Sequence, residues 1–211
     1  MMQQRTKMNA SAGELLVPDL FSLNNGINKP TVTSELIRRK MNSLYGSLQL
    51  NWDGYLFLDV TARNDWSSTM SKDNRSYFYP SVSLSGVISD MLPKIGGNMP
   101  EWFTFAKVRA SYAEVGNDLD PYQLYNNYTV GKDENGNTTA APGQILFDSS
   151  VRSELIKSWE AGFDVRFLQN RLGLDFAWYK TNATRQLLNL PLDPFAGYSS
   201  RKVNAGNIQN E

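Results

Sequence analysis

The 211-residue chain is long enough to bury one or two cores, and its 21 basic and 21 acidic residues cancel, leaving no basic stripe for nucleic acid. It holds neither cysteine nor histidine, which removes disulfides, thiol nucleophiles, imidazole bases and most zinc sites. No apolar run reaches the roughly 18 residues of a spanning helix, but a barrel crosses a membrane on alternating segments of about ten, so a polar average does not mean a water-soluble protein.

The opening MMQQRTKMNASAGE has no apolar run of signal-peptide type, so a targeting segment has been removed or the sequence is an internal piece. Residues 1–40 read as loop, with Pro18, Asn24, Asn25, Gly26 and Pro30 marking turns. Regular alternation starts at Leu44. Leu44, Gly46, Leu48, Leu50 and Trp52 alternate with polar residues, Asp53-Gly54 gives a hairpin turn, and Leu56, Leu58, Val60 and Ala62 resume the pattern. A third strand fits residues 78–88, with Pro80 delaying its ladder. A fourth fits 104–115, where Ala106, Val108, Ala110 and Tyr112 oppose Lys107, Arg109 and Ser111. A fifth fits 158–167, with Trp159, Ala161, Phe163, Val165 and Phe167 on one face. Past Gln169-Asn170-Arg171, the sixth carries Leu172, Leu174, Phe176 and Trp178 at every second position.

These strands make an antiparallel meander, all-β in class. Its connections are long at 67–76 and 116–154 and tight at 53–55 and 168–171, with a moderately long link at 89–103 on the tight side. Outer-membrane barrels show this asymmetry. Trp52, Tyr55, Trp102, Phe103 and Phe167 fall near the tight-turn rim; Trp66, Tyr77, Phe78, Tyr79, Trp159, Trp178 and Tyr179 fall toward the long-loop rim. Two aromatic belts suit the two headgroup regions of a bilayer, and they equally suit the ends of core strands. From the pattern alone the greasy faces meet either lipid or the second sheet of a soluble or surface-exposed β-sandwich that binds carbohydrate or protein.

The stretches YLFLDVTARNDWSSTM, YFYPSVSLSGVI, FTFAKVRASYAEVGND, SWEAGFDVRFLQNRLGLDFAWYKTNATRQLLNLPL and NAGNIQNE, in this order and spacing, resemble the C-terminal barrel region of SusC/RagA-type TonB-dependent receptors. The similarity covers roughly residues 40–211. Arg63, Asp65, Ser67 and Ser68 match the family's Arg-x-Asp-x-Ser-Ser strand end, and Tyr79, Pro80, Ser81 and Ser83 its following strand start. Lys107, Arg109, Ser111, Gly116 and Asn117 match a Lys-x-Arg-x-Ser strand closed by Gly-Asn. Trp159, Glu160, Asn170, Arg171, Asp175, Tyr179, Leu187 and Leu188 match the late hairpin, and Asn204, Gly206, Asn207 and Asn210 the segment after it. Trp66 departs from the glycine usual between Asp65 and Ser67.

The resemblance implies a transmembrane β-barrel of about 22 strands in the bacterial outer membrane, with long extracellular loops. Residues 1–40 are then an extracellular loop segment preceding the barrel strands, and 41–211 a partial barrel of about six strands. It implies TonB-driven import of glycans or oligopeptides through a plug outside these residues, with a SusD-like surface lipoprotein as lid. Nutrient importers of Bacteroidetes-type bacteria are the model. On this reading Leu56, Leu58, Val60, Val82, Leu84, Val108, Phe163, Val165, Leu174 and Phe176 meet outer-membrane lipid. Asp59, Arg63, Lys107, Arg109, Glu160, Asp164, Arg166 and Asp175 face the lumen, chiefly for plug packing and cross-strand pairing.

The loop YNNYTVGKDENGNTTAAPG offers Tyr122, Tyr125 and Tyr128 at or beside it as stacking residues for cargo or lid. Asp133, Asn135 and Asn137 imitate alternating calcium ligands, but Gln144 stands where an EF-hand needs its bidentate glutamate, and no metal or cofactor is expected. Glu160 and Asp164 share a strand face with roughly 13 Å of rise between them, beyond the about 5–9.5 Å of glycosidase carboxylate pairs. The sequence therefore names no enzyme.

Overall fold

The computed structural model describes residues 2–211, which separate into two compact units, 2–41 and 42–211. In the first, β1 (Met2–Ser11) pairs antiparallel with the opening of β2 (Thr31–Trp52), from Met2 opposite Lys40 to Ser11 opposite Thr31. Strand thus occupies 2–11 and 31–40, where the sequence predicts loop. The reason is visible in MQQRTKMNAS: every residue of β1 is exposed, so nothing imposes an apolar alternation that a pattern search would find. Only 12–30 is loop. Its turn residues act as a staple: Asn25 donates to the carbonyls of Val17 and Leu20 at 2.8 Å each and accepts from the Val17 N–H at 3.1 Å. A Cβ on Gly26 would sit 2.7 Å from the Ala12 carbonyl oxygen.

The second unit holds the end of β2 and then β3 (Leu56–Ser67), β4 (Ser76–Val87), helix α1 (Ile88–Lys94), β5 (Phe103–Asn117), β6 (Tyr128–Lys132), β7 (Thr138–Pro142), β8 (Ile145–Leu146), β9 (Glu154–Phe167), β10 (Leu172–Pro191) and β11 (Ser200–Asn210). The sheet order from β2 onward is β2-β3-β4-β5-β9-β10-β11-β8, and β6 and β7 form a separate hairpin. From β2 to β11 the sheet is an antiparallel meander, the expected fold class; β8 alone runs parallel, against the start of β11. Connections at 68–75, 118–153 and 192–199 lie at one end and 53–55, 88–102 and 168–171 at the other. The moderately long link contains α1, whose Lys94 Nζ meets the Asp53 carboxylate at 2.7 Å and lies 5.2 Å from the Tyr55 ring, tying the helix to the β2–β3 turn.

Pro80 has different effects on its two sides. The β3–β4 ladder already runs from Ser76 opposite Trp66, with Pro80 opposite Ala62, so the expected late start does not hold there. Toward β5 the ladder begins only at Ser81 opposite Ala113, because Pro80 has no N–H to give. Residues 76–80 therefore part from 114–117, and the Tyr79 ring closes over Gly116, where a Cβ would stand 2.7 Å from it.

No second sheet covers the apolar face among the described residues. Leu84, Val108, Leu174 and Phe176 are 46, 45, 54 and 52% exposed. A soluble sandwich would bury these side chains against a facing sheet, so that reading fails on the packing.

Candidate functional site

Cross-strand register assigns the two faces. Leu56, Gly86, Val108, Phe163 and Phe176 form one row; Leu58, Leu84, Ala110, Ala161 and Trp178 the next; Val60, Val82, Tyr112, Trp159 and Lys180 a third. The first two rows carry no charge. Tyr112 and Trp159 meet at 4.3 Å with their rings tilted by 42° toward the long-loop end, while Trp102, Phe103 and Phe167 cluster with centroids 5.1–5.8 Å apart at the other.

The opposite face carries Asp59, Ser83, Ser111, Glu160 and Tyr179 in one row and Lys107, Asp164 and Asp175 in another. Arg63, Arg109 and Arg166 share the parity of these rows, which puts Asp59, Arg63, Lys107, Arg109, Glu160, Asp164, Arg166 and Asp175 on one sheet face. Ion pairs within and across strands brace several of them. Arg109 reaches Glu160 at 3.5 Å and Asp175 at 3.2 Å, Arg166 reaches Asp164 at 3.2 Å and lies 5.1 Å from the Phe105 ring, and Arg63 meets Asp65 at 2.8 Å. Ser81 and Thr61 add a hydroxyl pair at 2.6 Å. A face built this way presents fixed, alternating charge with modest energy per exposed pair.

At the long-loop end the sheet thickens into a packed platform. Met70, Tyr77, Leu119 and Val151 are buried together, with Tyr79, Leu124 and Leu187 against them. Beside them the Asp118 carboxylate accepts from the Ser67 hydroxyl and, at 2.8 Å, from Thr69, joining the 68–75 loop to the start of 118–153. Asn74 donates to the carbonyls of Ser150 and Val151 at 3.1 and 3.3 Å, and the Asn204 amide clasps both backbone groups of Arg152 at 2.6 and 2.8 Å. Asp148 accepts from the Ser150 N–H and from Arg201 at 2.9 and 2.6 Å; the Ser150 contacts first and Arg201 second hold its pKa down at about 2. The contacts themselves are not announced in the sequence, because they link segments up to 77 residues apart. Tyr77 and Tyr79, read as rim aromatics, instead serve this interior.

Tyr122, Tyr125 and Tyr128 stand on the same long connection, 58, 66 and 67% exposed, and Tyr122 has a left-handed backbone with φ 67°. Tyr128 opens the β6–β7 hairpin, which the loop reading did not anticipate. The calcium-like residues close that hairpin: Asp133 accepts from the Asn135 and Asn137 N–H groups at 3.0 and 2.7 Å and from the Asn137 amide at 3.0 Å, so its carboxylate is held below its usual pKa by internal donors, foremost Asn137.

Residues 9–211 match the family model described as TonB dependent receptor-like, beta-barrel. The chain is 29% identical over 188 residues to TonB-dependent receptor P3 of Formosa agariphila, covering 85% of this chain and 18% of that protein. It is 27% identical over 206 residues to TonB-dependent receptor P26 of the same organism, covering 92% and 20%. The structure of the RagAB peptide transporter shares the fold over 99% of this chain and 23% of that one, with a TM-score of 0.84 at 18% identity. The siderophore receptor PirA of Pseudomonas aeruginosa overlaps with a TM-score of 0.53 at 16% identity, over 85% and 32%. These relatives are receptors and transporters by name, and this chain spans about a fifth of the length of the curated ones. With its two-faced meander and a matching family model along nearly all of its length, the chain belongs to the TonB-dependent receptor family and represents part of its β-barrel.

Proposed function

We propose that this chain is a section of the wall and extracellular loops of an outer-membrane, TonB-driven importer of oligopeptides or glycans. The observation that carries the reading is the contrast between the two sheet faces: exposed apolar rows without charge on one side, braced charged rows on the other. In lipid an apolar face needs no cover, and the backbone is satisfied only if the sheet closes with further strands. Residues 41–211 are the barrel part, and the loop at 12–30 is extracellular.

Asp59, Arg63, Lys107, Arg109, Glu160, Asp164, Arg166 and Asp175 face the lumen on this reading, where an internal plug supplies their remaining partners. Cargo binds from outside, under a surface lipoprotein of the SusD-like class, and TonB acts on the plug. No bond of the cargo is broken. Exposed Tyr122, Tyr125 and Tyr128 contact cargo or lid, with flat rings and polar tips suited to either.

The test is accumulation of labelled oligopeptides and oligosaccharides by energised cells that carry the full receptor. Uptake of one class that stops when the proton gradient is collapsed supports the reading; uptake independent of energy sinks it. Replacing the three tyrosines together by alanine should weaken cargo or lid affinity by about tenfold, about 1.4 kcal/mol. Unchanged affinity for both removes their recognition role.

A further inference from the structure

When glycine follows asparagine, its backbone nitrogen reaches the asparagine side chain with little hindrance, because glycine carries no Cβ to block the approach. The chain holds two such pairs, Asn25-Gly26 and Asn135-Gly136. The fold treats them in opposite ways. Asn25 is 7% exposed, and its amide is fully engaged: the nitrogen donates to the Val17 and Leu20 carbonyls at 2.8 Å each, and the oxygen accepts from the Val17 N–H at 3.1 Å. Gly26 is crowded as well, with the Ala12 carbonyl oxygen 2.7 Å from where a Cβ would stand. Turning the Asn25 amide toward the Gly26 nitrogen breaks three hydrogen bonds in a buried place.

Asn135 stands at the tip of the β6–β7 hairpin, where every residue from Tyr128 to Pro142 is exposed. Among the described residues its side-chain amide has no hydrogen-bond partner. No atom lies within 4 Å of the point a Cβ on Gly136 would occupy, and Gly136 has φ 83°. Two backbone bonds close the turn, from the Asp133 N–H to the Asn137 carbonyl at 2.9 Å and from the Gly136 N–H to the Asp133 carbonyl at 3.0 Å. Both lie in an exposed segment, and such bonds open locally at small free-energy cost. Asn137, two residues on, differs again: its amide is tied to the Asp133 carboxylate at 3.0 Å, and the β-branched Thr138 follows it.

We propose that Asn135 is a site of spontaneous deamidation, from which the fold protects Asn25. The Gly136 nitrogen gives its proton to a solvent base and attacks the Asn135 Cγ. As the new bond forms, the bond from Cγ to the side-chain nitrogen breaks, and ammonia leaves with a proton taken from water. Water then opens the cyclic imide at either carbonyl, leaving an aspartyl or isoaspartyl residue. Nothing is oxidised or reduced, and water is the only co-reactant. The product sets a further carboxylate beside Asp133 and Glu134, and the isoaspartyl form adds one methylene to the backbone that joins β6 to β7. The inference stands apart from the transport reading, since it needs only the exposed hairpin and the buried Asn25.

The full receptor in detergent is incubated in mildly alkaline buffer made with heavy-oxygen water, and the peptides carrying Asn25 and Asn135 are followed by mass spectrometry. In the native protein Asn135 should take up the label at least about tenfold faster than Asn25. In urea-unfolded receptor the two rates should come within about threefold of each other, since neither amide is then held. Equal rates in the native protein overturn the proposal. A tenfold ratio that persists in urea also overturns it, because neighbouring sequence and not the fold then sets the difference. Asn135→Gln, whose longer side chain closes the ring far more slowly, should leave its peptide unlabelled over the same period. Label that persists in that peptide places the reaction at another asparagine and removes Asn135 as the site.

Discussion

Arg109 on β5 reaches across β9 to Asp175 on β10, Nη2 to Oδ1 at 3.2 Å, because the residue between them is Gly162. A Cβ there would stand 2.7 Å from the Phe176 carbonyl oxygen and 3.1 and 3.2 Å from the Arg109 Nε and Cζ. Gly162→Ala is expected to lower barrel stability by about 1–3 kcal/mol through this overpacking, since the carbonyl cannot move without its ladder. Gly173→Ala is the control: its nearest neighbour, the Arg166 Cγ, is 3.9 Å away, and the change should stay within about 0.5 kcal/mol. Urea titration of the full receptor in detergent measures both, and equal midpoints for the two variants would remove the bracing role of Gly162.

Leu84 and Ser83 are neighbours on β4 that point to opposite faces, Leu84 in the row of Leu58 and Ala110, Ser83 beside Asp59 and Ser111. Leu84→Arg should cost about 2–4 kcal/mol if that row lies near the bilayer midplane, while Ser83→Arg, on the charged face, should cost less than about 1 kcal/mol. Refolding yields into phosphatidylcholine vesicles at graded urea give the comparison. Similar losses at both positions would contradict the assignment of faces.

The alternation of Leu56, Leu58 and Val60, and of Phe163, Val165, Leu174 and Phe176, was legible because a face that meets one apolar medium must be apolar at every second residue. The same parity puts Asp59, Arg109 and Glu160 together on the opposite sheet face. It did not reveal β1, which is exposed on both faces, nor the β6–β7 hairpin, which is exposed throughout. The platform of Ser67, Thr69, Asp118 and Val151 was hidden for another reason: its contacts join residues far apart in the chain, and a lone Asp118 after Gly116 and Asn117 reads as an ordinary loop acid.

Asp118 is 9% exposed and accepts hydroxyl donors from Ser67 and Thr69, which are themselves buried. Asp118→Ala leaves these hydroxyls without their acceptor and should destabilise the loop platform by about 1–3 kcal/mol. Asp118→Asn keeps an acceptor oxygen and should lose less. Hydrogen exchange of 67–75 and 118–124 in the full receptor is the readout, with faster exchange in the alanine variant. Unchanged protection in both segments would show that the apolar cluster alone holds the loops.

Asp148 fastens the end of the long connection to β11 through Arg201, and its pKa of about 2 lies below the ordinary carboxylate value of 3.8. A carboxylate whose pKa is depressed by folding contributes its stability above the unfolded value, and loses it as pH falls toward the folded one. The contact should therefore be intact at pH 5 and weaken progressively from about pH 4 to about pH 2, where protonation releases Arg201 and the Ser150 N–H. Pepsin, active across this range, reads the release as cleavage within 145–153. Wild-type receptor should resist at pH 4 and be cut near pH 2, whereas Asp148→Asn should be cut at both. A variant as resistant as wild type at pH 4 would mean that Asn74 and Asn204 hold this segment without the carboxylate.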